Sequence, residues 1–294
     1  MKTDGPVVIA LDGSPHSAQT LEWGLAEAVR RGADVLLVRV FELPREFAEW
    51  SWYPLIDEDL GFETAAKDYL ADLLARARAQ HPDLTISTRE PHGPTVPELR
   101  TLSEDARLVV LGASGRGRRP GIGSVSSHIA AHAACPVVVV RAAPADPAAP
   151  IVVGVDGSPE SVAAARTAAG EASLRKVPLV VLHARPVVAS SVGRGVPVAA
   201  SLTPQDSADT DPQRAAQAVV DQLALEHPSA DISLELQADD PVHALVAASR
   251  SAQLVVVGSR GLGAFRGMLL GSVSHEVLRD AASTVLVMHD GAHD

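Results

Sequence analysis

Short, almost wholly apolar runs recur along this 294-residue chain, and each is followed by a segment with helical spacing. Residues 7–11 read as a buried parallel strand, because a strand covered on both faces loses the polar alternation of a half-exposed one. Behind it Ala18, Leu21, Leu25 and Ala28 fall on one face of a helix. Asp12-Gly13 predicts the turn between the two, with Ser14 as N-cap and Pro15 at the first helical position. Strands are expected at 35–40, 84–89, 108–111 and 137–140, and helices at 62–80, 96–104 and 124–134.

The series then repeats. Residues 9–17 (Ile-Ala-Leu-Asp-Gly-Ser-Pro-His-Ser) return 144 positions later as Val153-Gly154-Val155-Asp156-Gly157-Ser158-Pro159-Glu160-Ser161. The helical stripe returns as Val162, Ala165, Ala169 and Ala172, and the predicted strands as 179–184, 232–236, 254–257 and 285–288. Helices are expected at 213–226, 242–249 and 272–281. A period this long marks a duplicated domain and not a solenoid unit. Strands alternating with helices through each half predict an α/β fold: two tandem doubly wound three-layer sandwiches, each with a five-stranded parallel sheet. Residues 1–143 and 151–294 are the expected domains. Between them, residues 144–150 form a linker, part of a nine-residue stretch holding three prolines.

A second repeated signature ends the fourth strand of each half. Gly112 and Gly115 lead to Gly123-Ser124-Val125, and Gly258 and Gly261 lead to Gly271-Ser272-Val273. Each glycine set closes an apolar run and opens a helix, where free backbone N–H groups and the helix dipole favour an anion. In a parallel sheet the ligand crevice lies beyond the carboxyl ends of the strands, where both signatures fall.

Composition narrows the function. The net charge is −11, which excludes electrostatic attraction to nucleic acid or an anionic membrane as a main activity. Cys135 is the sole cysteine, so no intrachain disulfide forms, as expected in a reducing cytoplasm. The N-terminus lacks the pattern of a signal peptide, and no apolar run approaches membrane-spanning length, so the expected location is cytoplasmic. Six of the nine aromatics lie in residues 41–62, which read as a packed loop over the sheet edge. The matching segment, 185–212, has no aromatics, is rich in Ser, Ala, Pro and Asp, and is expected to be mobile.

Several chemistries are disfavoured. The lysines are Lys2, Lys67 and Lys176, none beside a glycine loop, so the P-loop motif with its phosphate-binding lysine is absent. No G-x-S-x-G elbow occurs, and the first turn lacks the G-x-G-x-x-G of a dinucleotide dehydrogenase. His128 and His132 lie four apart on a helix, yet their counterparts are Glu276 and Asp280 and no third ligand is evident. They are read as solvated or packing side chains. Cys135 is read as a small buried hydrophobe.

With an aspartate ending the first strand and G-x2-G-x9-G-S after the fourth, the chain resembles the universal stress proteins over essentially both halves. Many members of that family bind ATP. The resemblance implies that Asp156 and the backbone around Ala184 contact the adenine end of a nucleotide. It implies too that Gly258, Gly261, Gly271, Ser272 and Val273 surround ribose and phosphates. The equivalent positions in the first half are Asp12, Val40, Gly112, Gly115, Gly123, Ser124 and Val125. There only seven residues separate Gly115 from Gly123, and three of them are arginines (Arg116, Arg118 and Arg119), so the second half is the better candidate site. The residues alone also allow Asp12 and Asp156 to be turn residues that cap the following helix.

The expected function is an ATP-binding stress-response regulator without efficient hydrolysis, with Mg²⁺ assisting and no catalytic residue assigned. A related adenine-nucleotide α-hydrolase type of enzyme and a cyclic AMP binder stand as alternatives. By the same resemblance the last strands of the two halves meet about a pseudo-two-fold axis, forming an intramolecular pseudo-dimer. Dimerisation of the whole chain and a protein partner remain open.

Overall fold

The computed structural model describes residues 4–42, 58–113, 121–141, 146–185, 206–262 and 270–289, with the backbone alone described at 58–67 and 206–212. Most of the aromatic loop and of the 185–212 segment lies outside the described residues.

In the first half, β1 (Val7–Ala10), α1 (Ser17–Arg31), β2 (Val35–Val38), α2 (Glu58–Gln80), β3 (Ile86–Arg89), α3 (Thr95–Asp105), β4 (Leu108–Gly112), α4 (Ser124–His132) and β5 (Val137–Val140) alternate regularly. The second half repeats them as β6 (Ile151–Gly154), α5 (Pro159–Arg175), β7 (Leu179–Ala184), α6 (Asp206–Glu226), β8 (Ile232–Gln237), α7 (Pro241–Ala248), β9 (Leu254–Gly258), α8 (Ser272–Asp280) and β10 (Thr284–Met288).

All ten strands join in one sheet, in the order β3-β2-β1-β4-β5-β10-β9-β6-β7-β8. Pairing is parallel within each half. At the centre β5 and β10 run antiparallel, with Val137 opposite Val287, Val138 opposite Leu286 and Val139 opposite Val285. That pairing removes an edge of four consecutive valines that would otherwise be an aggregation hazard.

The inner strands are apolar on both faces because helices cover both, whereas the edge strands β3 and β8 carry polar, exposed residues. Alternate residues of β9 show the division. Leu254 and Val256 join a core with α1, α2, α5 and α6, while Val255 and Val257 join one with α3, α4, α7 and α8. Each core runs across both halves, giving a three-layer α/β architecture.

Buried polar groups also tie the halves together. Glu27 of α1 and Glu171 of α5 lie within a cluster of arginines. Arg31 reaches Glu27 at 2.7 Å and also Glu171; Arg175 reaches Glu27 at 2.6 Å and also Glu171. Glu27 is fully buried, yet Arg175 and Arg31 overcome the burial penalty and hold its carboxyl below the usual range. Across the sheet, Arg141 donates to the carbonyls of Leu278 and Arg279 at the end of α8, and His289 bonds the Ala130 carbonyl in the last turn of α4. The residue after each last strand thus supports the other half's last helix.

Three local expectations are corrected. Ser14 does not cap α1, which begins at Ser17 behind His16. Here the Asp12 carboxylate accepts the Ser14 N–H and the Ser17 hydroxyl, so the chain makes an extra turn before the helix starts. Ala18, placed on the apolar stripe, is exposed in the first turn of α1. Finally β2 ends at Val38, two residues early, and leaves Val40 beyond the ladder, whereas β7 continues to Ala184 because β8 supplies a six-residue partner.

Candidate functional site

The candidate site of the second half starts from the turn that leaves β6. Gly157 has φ 89°, a left-handed conformation that residues with a Cβ rarely adopt, and so reverses the chain directly after Asp156. Ser158 then caps α5: its hydroxyl oxygen accepts the Ser161 N–H at 3.2 Å, and Pro159 occupies the first turn. Asp156 is fixed by this arrangement. Its Oδ1 accepts the Ser158 N–H at 2.9 Å and the Ser158 hydroxyl at 2.6 Å, while its Oδ2 accepts the Leu262 N–H at 2.9 Å. Burial disfavours the carboxylate form, but the bonds from Ser158, Leu262 and Ser161 outweigh it and hold the carboxyl below its ordinary value.

The second wall is the loop between β9 and α8. Gly271 donates its N–H to the Ser259 carbonyl at 2.7 Å, and the Ser274 hydroxyl donates to the Gly258 carbonyl at 2.5 Å. These bonds bring the N-terminus of α8 over the end of β9. The N-cap, Gly271, has no side chain to cap that helix, and its first residues, Ser272, Val273 and Ser274, line the opening.

Between the walls lies a cleft of about 340 Å³, within the range of small-molecule sites. Asp156, Ala184, Gly258, Gly261, Gly271, Ser272 and Val273 all line it, so the structure brings together all seven positions singled out in the second half. The three glycines differ in what requires them. A Cβ on Gly258 would sit 3.0 Å from the Arg260 carbonyl, and one on Gly261 only 2.3 Å from Asp156 Oδ2. Gly271 has an ordinary backbone (φ −68°, ψ 156°), and a Cβ there would meet nothing nearer than 3.6 Å. Among the described residues a Cβ at Gly271 thus meets its neighbours at ordinary contact distance, and the glycine lines the cleft.

Residues not singled out in the sequence complete the cleft. Leu245 of α7 forms part of its apolar floor beside Gly154, where an added Cβ would lie 2.9 Å from Leu245. Nothing local marks Leu245, because it arrives from a helix about 90 residues further along the chain. Ser161 lines the cleft too, and its signal was present: it repeats Ser17 within the first signature. Arg260 stands at the mouth, its Nε 4.0 Å from a Glu160 carboxylate oxygen.

In the first half, Asp12 follows β1, Gly112 ends β4, Gly123 is the N-cap of α4, Ser124 opens that helix, and Val125 packs against the core. Val40 also packs there, beyond the end of β2. The bonds around the loop match, with Gly123 N–H to the Ala113 carbonyl at 2.7 Å and the Ser126 hydroxyl to the Gly112 carbonyl at 2.7 Å. Asp12 lies below its ordinary pKa for the same reason as Asp156, with burial outweighed by bonds from Ser14 and Ser17. Gly115 and the three arginines lie outside the described residues.

His128 and His132 stack 5.8 Å apart, each with Nδ1 against a carbonyl of its own helix. Among the described residues no group of three or more His, Cys, Asp and Glu side chains is placed to hold a metal. Burial pushes the Cys135 thiol up to about 12, which leaves it unreactive at neutral pH. No helix among the described residues is long and apolar enough to cross a membrane.

Comparisons with known proteins agree with this geometry. The model of the Universal stress protein family matches residues 5–141 and again 148–289. A universal stress protein of Mycobacterium tuberculosis is 34% identical over 297 residues, with 97% of this chain and 96% of the relative covered. One of Mycobacterium bovis is 36% identical over 296 residues, covering 96% of each. A crystal structure of a universal stress protein from Archaeoglobus fulgidus shares the fold, with a TM-score of 0.70 at 19% identity and 99% of each chain covered. The chain belongs to the universal stress protein family and carries its domain twice in tandem.

Proposed function

We propose that the cleft of the second half binds ATP and that the chain is a cytoplasmic stress-response regulator that turns ATP over slowly. The observation that carries this reading is Gly271. Without a side chain, Gly271 leaves the cleft wall bare backbone at the N-terminus of α8, the place where a phosphate chain gains most from the first N–H groups and the helix dipole. The apolar floor at Leu245 and Val257 suits a base, and the backbone at Ala184 lies at its edge. Gly258, Gly261, Ser272 and Val273 then surround ribose and phosphates.

The lining also suits a nucleotide that brings Mg²⁺ with it. Ser272 and the next residues of α8 line the opening, whereas the Asp156 carboxylate already accepts three protein hydrogen bonds. Mg²⁺ would be held chiefly by phosphate oxygens and water, with Ser272 as a protein oxygen nearby, and would screen phosphate charge. Slow turnover follows from the residue types. No lysine occurs between Gly258 and Ser272, and among the described lining residues the one carboxylate, Asp156, is engaged by three protein hydrogen bonds.

Calorimetric titration with ATP and with adenosine tests the reading. ATP binding more tightly than adenosine supports a phosphate cradle; equal affinities indicate an adenine-only or cyclic-nucleotide pocket. Steady-state turnover of roughly one per second or faster, within the ordinary enzyme range, contradicts the regulator.

A further inference from the structure

Asp156 faces the cleft, but most of its accepting capacity is taken up by the protein. A carboxylate offers about four acceptor positions. Two on Oδ1 receive the Ser158 N–H and hydroxyl, and one on Oδ2 receives the Leu262 N–H. The Leu262 bond spans 106 residues of sequence and joins the first signature directly to the second. Leu262 itself is 72% exposed, so burial of its side chain does little to fix this turn.

The preceding glycine fits the same arrangement. A Cβ on Gly261 would stand 2.3 Å from Asp156 Oδ2, inside any permitted contact. The second glycine of the motif is therefore required by the aspartate, whatever the cleft contains. Gly261 lets the carboxylate approach, and the Leu262 N–H then receives it. Ser158 holds the other oxygen and is itself fixed as the cap of α5, so the carboxylate is oriented before any ligand arrives.

We propose that Asp156 is a positioning residue: it sets the glycine loop through the Leu262 N–H and contributes to nucleotide binding through that loop, not through contact with the base. The proposal deepens the nucleotide reading and rests on it for its ligand arm alone.

Asp156→Asn is nearly isosteric but turns one acceptor into a donor. Amide hydrogen exchange on the unliganded chain reads the latch without any ligand. Leu262 N–H is expected to exchange at least about tenfold faster in the variant, the weight of one charge-assisted hydrogen bond. ATP affinity is expected to fall by a similar factor, with adenosine affinity unchanged. Leu262→Pro removes the donor while leaving the carboxylate intact, and is expected to reproduce the ATP-selective loss. Unchanged exchange at Leu262 in Asp156→Asn overturns the latch. Equal losses for ATP and adenosine in that variant, with Leu262→Pro binding like the wild type, overturn the positioning role in favour of direct contact. If the wild-type chain binds neither ligand, the nucleotide reading fails, and the exchange result still decides whether Asp156 holds the loop.

Discussion

The turns after β1 and β6 carry the same Asp-Gly-Ser-Pro, and the two aspartates fold into different surroundings. Asp156 lies against Ser158, which caps α5 directly, and its second oxygen reaches across to the glycine loop. Asp12 accepts the hydroxyl of Ser17 where Asp156 accepts that of Ser158, and α1 begins two residues later; the positions equivalent to Gly261 and Leu262 lie outside the described residues. Differences nearby accompany this one: His16 stands where the second half has Glu160, Ala10 where it has Gly154, and β2 stops short of Val40. A duplicated motif preserves the backbone turn, while the use of its side chains is set by neighbours that have diverged.

The buried ionic cluster is one of several joints between the halves, and the largest expected effect is there. Glu27→Ala would leave Arg31 and Arg175 buried beside a single carboxylate. Breaking such a network costs about 3–5 kcal/mol, to be read from urea unfolding of the whole chain. A loss below about 1 kcal/mol would mean that the cluster is solvated and does not hold the halves together.

Next is the contrast between two glycines of one loop. Gly261→Ala drives a methyl group against Asp156 and should weaken ATP at least tenfold, about 1.4 kcal/mol, by calorimetry. Thermal stability should be nearly unaffected by Gly271→Ala, which has room for its methyl group. If Gly271→Ala destabilises the protein as much as Gly261→Ala does, packing and not an occupant requires that glycine.

A smaller effect separates the ends of the equivalent helices α1 and α5. Gly32 closes the first with φ 55°, and Lys176 closes the second with the same left-handed angle. Lys176→Gly should stabilise the chain by about 0.5–1 kcal/mol in the same unfolding assay, whereas Gly32→Lys should destabilise it.

Acid dependence should show the smallest difference. Asp12 and Asp156 both have folded pKa values below the ordinary 3.8, so their contribution is complete above that value and is lost as pH falls through the folded values. Asp156→Asn should flatten the acid limb of the stability curve. The effect is modest because neither group is fully buried.

Much of this was legible beforehand. Apolar runs without alternation marked the inner parallel strands, and the repeated signatures marked six residues that line one cleft, with Ala184 added by the family resemblance. The start of α1 was not legible, because Ser14 and Ser158 have identical flanks and only the hydroxyl that reaches the aspartate distinguishes them. Leu245 was hidden because its place in the floor depends on how α7 packs over β6. The ionic joint had a signal, Glu-x3-Arg at 27 and 31 repeated at 171 and 175, but i,i+4 pairs usually face solvent. Only the meeting of α1 and α5 turns two such pairs into one buried cluster.

The most direct test of a phosphate cradle in the second half is the number of nucleotides bound by Gly271→Glu compared with the wild type. Its carboxylate would stand at the cleft wall at the start of α8, where negative charge suits the helix but repels phosphate. The account predicts an unchanged circular dichroism spectrum and loss of the second-half site, leaving at most the binding contributed by the first half. A folded Gly271→Glu chain that retains the full wild-type stoichiometry and affinity for ATP would contradict it.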